Sequence, residues 1–243
     1  MIYIISPHFD DAIGSCGGMI SKCKDYEKIT IVTVFTKEPV TPLSKFALHL
    51  NNLWKVENAV KTRIAENKCA CEYYNIPYIN LGFTEAIYRK DNGRDLYPFE
   101  GDIFGEIDPV DNILPVEIAD KINEFVDTND TVILPAAVGK HVDHILVLKS
   151  YEYLKKGINI LLYKDFSYEG LPYWDWVREN IIYISESNLN DKKNAVLKYK
   201  SQIDMLFEEY GGIDNYYDST NSSNGKFFEV YYQLIAKGES NGT

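Results

Sequence analysis

Nothing in this chain approaches ~18 consecutive apolar residues, so no segment has the length and apolarity of a membrane-crossing helix. There is no Lys/Arg-rich run either. Thirty-six acidic against 25 basic side chains give a net charge of −11, which makes nucleic acid a poor partner. The opening residues Met1 to His8 carry no basic segment ahead of their short apolar run, so a soluble cytoplasmic protein is expected. Cysteine is sparse. Cys16, Cys23, Cys69 and Cys71 show neither paired C-x-x-C spacing nor the density of a disulfide scaffold. They read as reduced thiols filling space, with a zinc-thiolate site as the alternative. Histidine is as scarce, with four in 243 residues.

What is present is the material of a globular protein, 45% hydrophobic and 25% charged, enough for a sizeable core. At roughly 150 residues per domain, and with α/β proteins of this size commonly undivided, residues 1–243 are expected to form a single domain. β-Branched and apolar runs predict strands at Ile2 to Ser6, Ile29 to Thr36, Ile79 to Leu81, Thr131 to Ala137, Ile158 to Tyr163 and Phe227 to Ile235. Helices are expected from Ile13 to Lys24, His49 to Tyr74, Pro115 to Val126, Val142 to Lys155 and Leu189 to Glu209, the second carrying apolar residues three or four apart. The alternation argues for an α/β fold with a mostly parallel sheet flanked by helices. Thr84 to Asn112 breaks that rhythm. Eight acidic against three basic residues and repeated Gly and Pro mark it as a long insert, either a lid or a solvated excursion. Asp218 to Gly225 reads as a polar loop, and the tail after Lys237 is expected to fray.

Three of the four histidines fall in two clusters, each directly after a predicted strand: Pro7-His8-Phe9-Asp10-Asp11 and Gly139-Lys140-His141-Val142-Asp143-His144. In parallel sheets ligands collect beyond the carboxyl ends of the strands, so both clusters are expected to face one crevice. Imidazole and carboxylate donors suit zinc, and three protein ligands with one open position is the arrangement of a catalytic site. His8, Asp11 and His144 fit that count. Asp143 is suited to accept the second N–H of a ligating histidine. Taken singly, each cluster also reads as strand-end capping, Asp-Asp before a helix being a common N-terminal signal.

The run Ser6-Pro7-His8-Phe9-Asp10-Asp11-Ala12 with Gly17-Gly18 resembles the opening motif of the PIG-L/LmbE-like zinc-dependent N-deacetylases. Gly139 to His144 resembles that family's second metal motif, H-x-D-H. Arg63-Ile64-Ala65-Glu66, Leu81 to Ala86 with Arg89, and Tyr163-Lys164-Asp165-Phe166-Ser167-Tyr168 are similar to further segments of the family, in order along residues 2–168. The resemblance implies a Rossmann-like fold, one zinc or another divalent metal per chain, and removal of an N-acetyl group from an N-acetylglucosamine-type amino sugar or its conjugate. It implies His8, Asp11 and His144 as metal ligands, Asp10 as general base and His141 as the group that stabilises the oxyanion. Departures are Phe9 and Val142 where many members have proline, Ala12 where many have glutamate, and Gly139 where some have a catalytic tyrosine. None removes a ligand or the base.

In such a mechanism Asp10 takes a proton from the attacking water and returns it to the departing amine, while a protonated His141 faces the charge on the carbonyl oxygen. Arg63 offers a planar fork to substrate hydroxyls or anions, or else an ordinary i, i+3 pair with Glu66. Glu85 and Arg89 are placed to flank a sugar. Trp174-Asp175-Trp176 offers either a stacking platform or packing. The acidic insert favours a neutral or cationic acetylated sugar. A homo-oligomer is compatible with the composition. A non-catalytic metal-containing sugar-binding or assembly protein is the alternative, and a nucleotide-binding module is disfavoured because Gly14, Gly17 and Gly18 lack G-x-G-x-x-G spacing and Asp10-Asp11 would repel a pyrophosphate.

Overall fold

The computed structural model describes residues 1–235. The tail after Lys237 lies outside them. In chain order the elements are β1 (Ile2–Ser6), α1 (Asp11–Cys23), β2 (Ile29–Phe35), α2 (Lys45–Leu53), α3 (Ala59–Tyr74), β3 (Tyr78–Phe83), β4 (Lys90–Asp91), β5 (Arg94–Asp95), α4 (Leu114–Asn123), β6 (Thr131–Pro135), α5 (Val142–Lys149), β7 (Asn159–Tyr163), β8 (Val177–Ile184), α6 (Glu186–Val196), α7 (Ile203–Phe207), α8 (Ile213–Thr220), β9 (Ser222–Ser223) and β10 (Lys226–Leu234). The fold is α/β, as the alternation predicts.

The main sheet runs β3-β2-β1-β6-β7-β10-β8, with β9 on β10. The first five strands are parallel, and β10 and β8 add an antiparallel edge. From β1 the chain winds outward through β2 and β3, then returns to place β6 on the other side of β1 and winds the opposite way. The reversal lies between β1 and β6, and a crevice opens there beyond the carboxyl ends of the strands.

Strand alternation sends side chains to two apolar layers. Ile4, Ile31 and Ile133 pack with α1 and α3, whereas Ile5, Val32 and Val132 pack with residues of α4 and α5. The three α1 glycines serve packing. A Cβ at Gly14 would meet the Phe166 ring at 2.4 Å, and one at Gly18 would meet Ile184 at the same distance, so α1 approaches its neighbours too closely for side chains.

The helix expected from His49 to Tyr74 is two helices. Lys55 takes a positive φ of 55°, and the Asn58 side chain accepts the Lys61 N–H to start α3 afresh. The break turns Trp54 inward. The helix expected from Leu189 to Glu209 likewise divides into α6 and α7. Tyr199 and Ser201 in the connection bond to Asn67 and Glu66 of α3, contacts that a straight helix would not make. Strand β8 and helix α8 were not expected, and α8 with β9 occupies part of the predicted polar loop. The insert at 84–112 is built of 3₁₀ turns and the β4-β5 ribbon, and Glu100, Ile103 and Phe104 from it reach the crevice. All four cysteines are free thiols.

Candidate functional site

The turn after β1 is tied to the start of α1. The Ser6 hydroxyl donates to the His8 carbonyl and accepts the Ala12 N–H, while the Asp11 carboxylate accepts the His8 N–H at 2.7 Å. The Ser6 bond satisfies one of the first backbone donors of α1, that of Ala12, and the three bonds together fix the Ser6 and Asp11 side chains. Asp10 occupies the N-cap position but makes no capping bond, so its carboxylate is not used to start the helix.

The turn after β6 carries positive φ at Ala137, Gly139 and Lys140 before α5 begins. His141 caps α5. Its Nδ1 accepts the Asp143 N–H at 3.1 Å, which places the remaining ring proton on Nε2.

The two turns meet. The ring centroids of His8, His141 and His144 lie 5.0–5.4 Å from one another. His8, Asp11 and His144 each present one donor atom within 4.8 Å of the others, and His8, His141 and Asp143 form a second such group. Asp11 Oδ2 lies 3.3 Å from His8 Nδ1 and 3.4 Å from His144 Nε2. His144 Nε2 is buried and has no hydrogen-bond partner. A buried nitrogen without a hydrogen bond is costly, and a metal ion beside it would supply a partner. The donor set of two imidazoles and one carboxylate suits a divalent ion that retains an open position.

His8 and His144 are each backed by a carboxylate. His8 Nε2 is 3.0 Å from Asp143 Oδ2, and His144 Nδ1 is 2.6 Å from Asp165 Oδ1. Backing of this kind fixes the ring and leaves the opposite nitrogen free to ligate. Asp143 lies behind His8. Asp165 lies in the family-like segment Tyr163 to Tyr168, and the pairing of β7 with β6 brings it to His144.

Electrostatics divide these groups. Burial opposes charge on His8, but Glu85, Asp11 and Asp143 outweigh it and hold its pKa well above the usual imidazole value. Burial and the neighbouring His8 push His141 well below that value, and because its Nδ1 accepts the Asp143 N–H its neutral form carries the proton on Nε2. Burial and the adjacent Asp11 raise Asp10 above the ordinary carboxylate range, against the pull of Arg63 and His8.

Arg63 and Glu85 line the crevice together with Asp10. The expected Arg63–Glu66 pair is absent: Arg63 lies 3.0 Å from Glu85 and 3.7 Å from Asp10, while Glu66 binds Ser201. Arg89 is not among the crevice-lining residues. It stands behind them, its Nε 2.9 Å from Asp111 and its Nη1 bonded to Asp143, and so supports the site from beneath rather than flanking a ligand. Trp174 and Trp176 are also away from this crevice. They stack on one another at 4.5 Å beside Tyr151; the aromatic crevice walls come instead from Phe46, Trp54, Phe104, Phe166 and Tyr168.

Among solved structures, the chain resembles the zinc-inhibited form of teicoplanin deacetylase, with a TM-score of 0.84, 25% identity and coverage of 98% of this chain and 99% of that one. A40926 pseudoaglycone deacetylase shares the fold at a TM-score of 0.78, with 24% identity over 96% of each chain. Among curated proteins, 2'-N-acetylparomamine deacetylase of Niallia circulans is 29% identical over 242 residues, 84% of this chain and 82% of the relative. The protein of that name from Streptomyces fradiae is 31% identical over 173 residues, 69% of this chain and 57% of its own length. The PIG-L model, described as GlcNAc-PI de-N-acetylase, matches residues 3–152, the span that holds both histidine turns. With more than half its length matched, the chain belongs to the PIG-L family.

Proposed function

We propose that the protein is a metal-dependent N-deacetylase that hydrolyses the N-acetyl group of an N-acetylglucosamine-type amino sugar or its conjugate. The observation that carries this reading is the convergence of His8, Asp11 and His144 around the buried His144 Nε2, which makes no hydrogen bond, with Asp10, which makes no helix-capping bond, beside them. Family membership and the deacetylase names of the relatives support it. A divalent ion, zinc in our reading, held by these three residues would polarise the acetyl carbonyl and lower the pKa of water bound beside it.

The chain's own groups do the rest. Asp10 accepts a proton from the attacking water as the new C–O bond forms at the acetyl carbon, then delivers that proton to the nitrogen as the C–N bond breaks, giving acetate and the free amine. His141 donates its Nε2–H to the carbonyl oxygen as charge develops there. Arg63, held by Glu85 and seated over Trp54 and Phe9 at 4.9 and 5.3 Å, keeps the Asp10 carboxylate oriented.

Charge also bears on the substrate. Arg63 is the one Lys or Arg among the crevice-lining residues, and Glu85 and Asp10 already face it; Glu100 at the rim adds a further negative charge. A neutral or cationic amino sugar fits this balance better than a phosphorylated one.

The test is metal analysis paired with amine release from a panel of N-acetylated amino sugars, before and after chelation and metal return. One ion per chain with chelator-reversible release is the expected result. Asp10→Asn should keep the ion and lose at least roughly a hundredfold in kcat, in line with the loss of a general acid-base group. Near-normal turnover in Asp10→Asn would remove Asp10 from the base role.

A further inference from the structure

The start of α7 brings to the crevice a polar side chain that the hydrolysis does not use. Gln202 occupies the N-cap position of α7 but makes no capping bond, and it lines the crevice with Met205 and Leu206. Its amide is held from α3. Nε2 donates to the Ser201 hydroxyl at 2.8 Å, that hydroxyl donates to Glu66 Oε2 at 2.7 Å, and Glu66 Oε1 accepts the Ser201 N–H at 2.7 Å. Glu66 lies one turn beyond Arg63 on α3 and anchors this relay.

The relay fixes which way the amide faces. The Ser201 hydroxyl has one proton and gives it to Glu66, so towards Gln202 it can only accept, and a flipped amide would set two acceptors face to face. Nε2 is therefore the atom on Ser201, and Oε1 lies on the other branch of the planar amide. No group among the described residues donates to Oε1. Gln202 as a whole is only 1% exposed, yet Oε1 is not among the partnerless polar atoms sealed from solvent, so the little surface the residue keeps lies at that oxygen. With Gln202 in the crevice wall, the oxygen opens on the crevice. An acceptor held in one orientation by an otherwise buried residue calls for a donor from a bound molecule.

We infer that Gln202 is a substrate-binding residue whose Oε1 accepts a hydrogen bond from a ring hydroxyl of the amino sugar, with Ser201 and Glu66 as the positioning residues that hold the amide. A hydroxyl is assigned rather than the amine because the acetylated nitrogen must meet Asp10, whereas Gln202 is anchored one helical turn beyond Arg63, the residue that faces Asp10. This inference rests on the deacetylase reading for its kinetic consequence. The contact itself is read from glucosamine, which carries the ring, the hydroxyls and a free amine and has no acetyl group to lose.

The experiment compares zinc-loaded wild type with Gln202→Met, which keeps an unbranched side chain of similar length and removes the amide, and with Ser201→Ala, which keeps the amide and removes the hydroxyl that orients it. Dissociation constants are measured by NMR titration for glucosamine and for cyclohexylamine, which has a ring and an amine without hydroxyls, beside zinc content and thermal midpoint. In Gln202→Met the glucosamine constant is expected to rise roughly fivefold or more, the worth of one hydrogen bond, with the cyclohexylamine constant and zinc content unchanged. Ser201→Ala should raise it roughly twofold or more, since the released amide can turn its oxygen away, and this variant carries the test alone if Gln202→Met does not fold. Where wild type releases amine, Gln202→Met should raise KM roughly fivefold with kcat within about twofold, because a contact remote from the breaking bond holds ground and transition states alike. An unchanged glucosamine constant in Gln202→Met, an equal loss for cyclohexylamine, or no glucosamine binding to wild type each overturns the inference. A raised constant in Gln202→Met beside an unchanged one in Ser201→Ala removes the positioning role alone. Failure of wild type to release amine from any N-acetylated sugar, with the glucosamine difference intact, instead removes the deacetylase reading and leaves the hydroxyl contact standing.

Discussion

The two histidines that converge on the site are backed by carboxylates in unlike settings. Behind His8, Asp143 accepts from His8 Nε2, from the Ala86 N–H at 2.9 Å and from Arg89. Behind His144, Asp165 accepts from His144 Nδ1 and the Val138 N–H, and among the described residues no Lys or Arg pairs with it. Burial alone would raise both acids. For Asp143 the Arg89 guanidinium and His8 outweigh burial and hold it far below the usual carboxylate range, whereas for Asp165 burial prevails over His144 and leaves it raised. One support is a charged cluster that knits the insert to α5; the other is a local clasp between two adjacent strand ends.

The largest expected effect comes from breaking the charged cluster. Arg89 is buried, sits over Phe35 and Tyr97 at 5.3 and 5.1 Å, and faces both Asp143 and Asp111. Arg89→Met strands two buried carboxylates, for which a loss of about 3–5 kcal/mol in denaturant unfolding is expected. An unfolding free energy within about 1 kcal/mol of wild type would mean that the insert is not held through Arg89. Next comes Asp143→Asn, which leaves Asp111 as the one carboxylate paired with Arg89 and a single amide oxygen for the donors that now share two, His8 Nε2, the Ala86 N–H and Arg89. Zinc affinity should fall by up to ~100-fold, and stability by about 3 kcal/mol, so that both readouts move together.

The difference between the two supports tracks what the sequence made legible. Each histidine turn follows a strand that its own β-branched run announces, and the switch between β1 and β6 then places both turns in one crevice. Asp143 lies within its motif, one residue from His144, so a supporting role was readable. Asp165 lies 21 residues from His144, and only the parallel register of β6 with β7 brings them together. Arg89 was read as facing a ligand because loop position does not reveal burial; two acids from different segments, Asp111 and Asp143, pull it inward. Strand β8 is not legible in the sequence because its residues Arg178 to Ile181 are all exposed and show no alternation: it is an edge strand paired on one side with β10. The break between α2 and α3 was hidden by apolar spacing that continues through it, while the cap at Asn58 depends on one side-chain bond.

The smallest of these effects, and the one that best isolates a local clasp, is expected from Asp165→Asn. An amide offers one oxygen where the carboxylate offers two, so either the Val138 N–H or the His144 ring nitrogen faces an NH2 group instead of an acceptor. The buried donor left unsatisfied costs about 1–2 kcal/mol of stability. His144 also becomes a weaker base at Nε2, so zinc affinity should fall by roughly tenfold, the low end for loss of a partner behind a metal-bound histidine. No buried Lys or Arg loses its counter-ion here, in contrast to Asp143→Asn. Competition with a zinc-binding dye, run beside denaturant unfolding on both variants, separates the cases. If Asp165→Asn were to lose as much stability as Asp143→Asn, the clasp would be part of the same charged framework, and the distinction between the two histidine supports would fail.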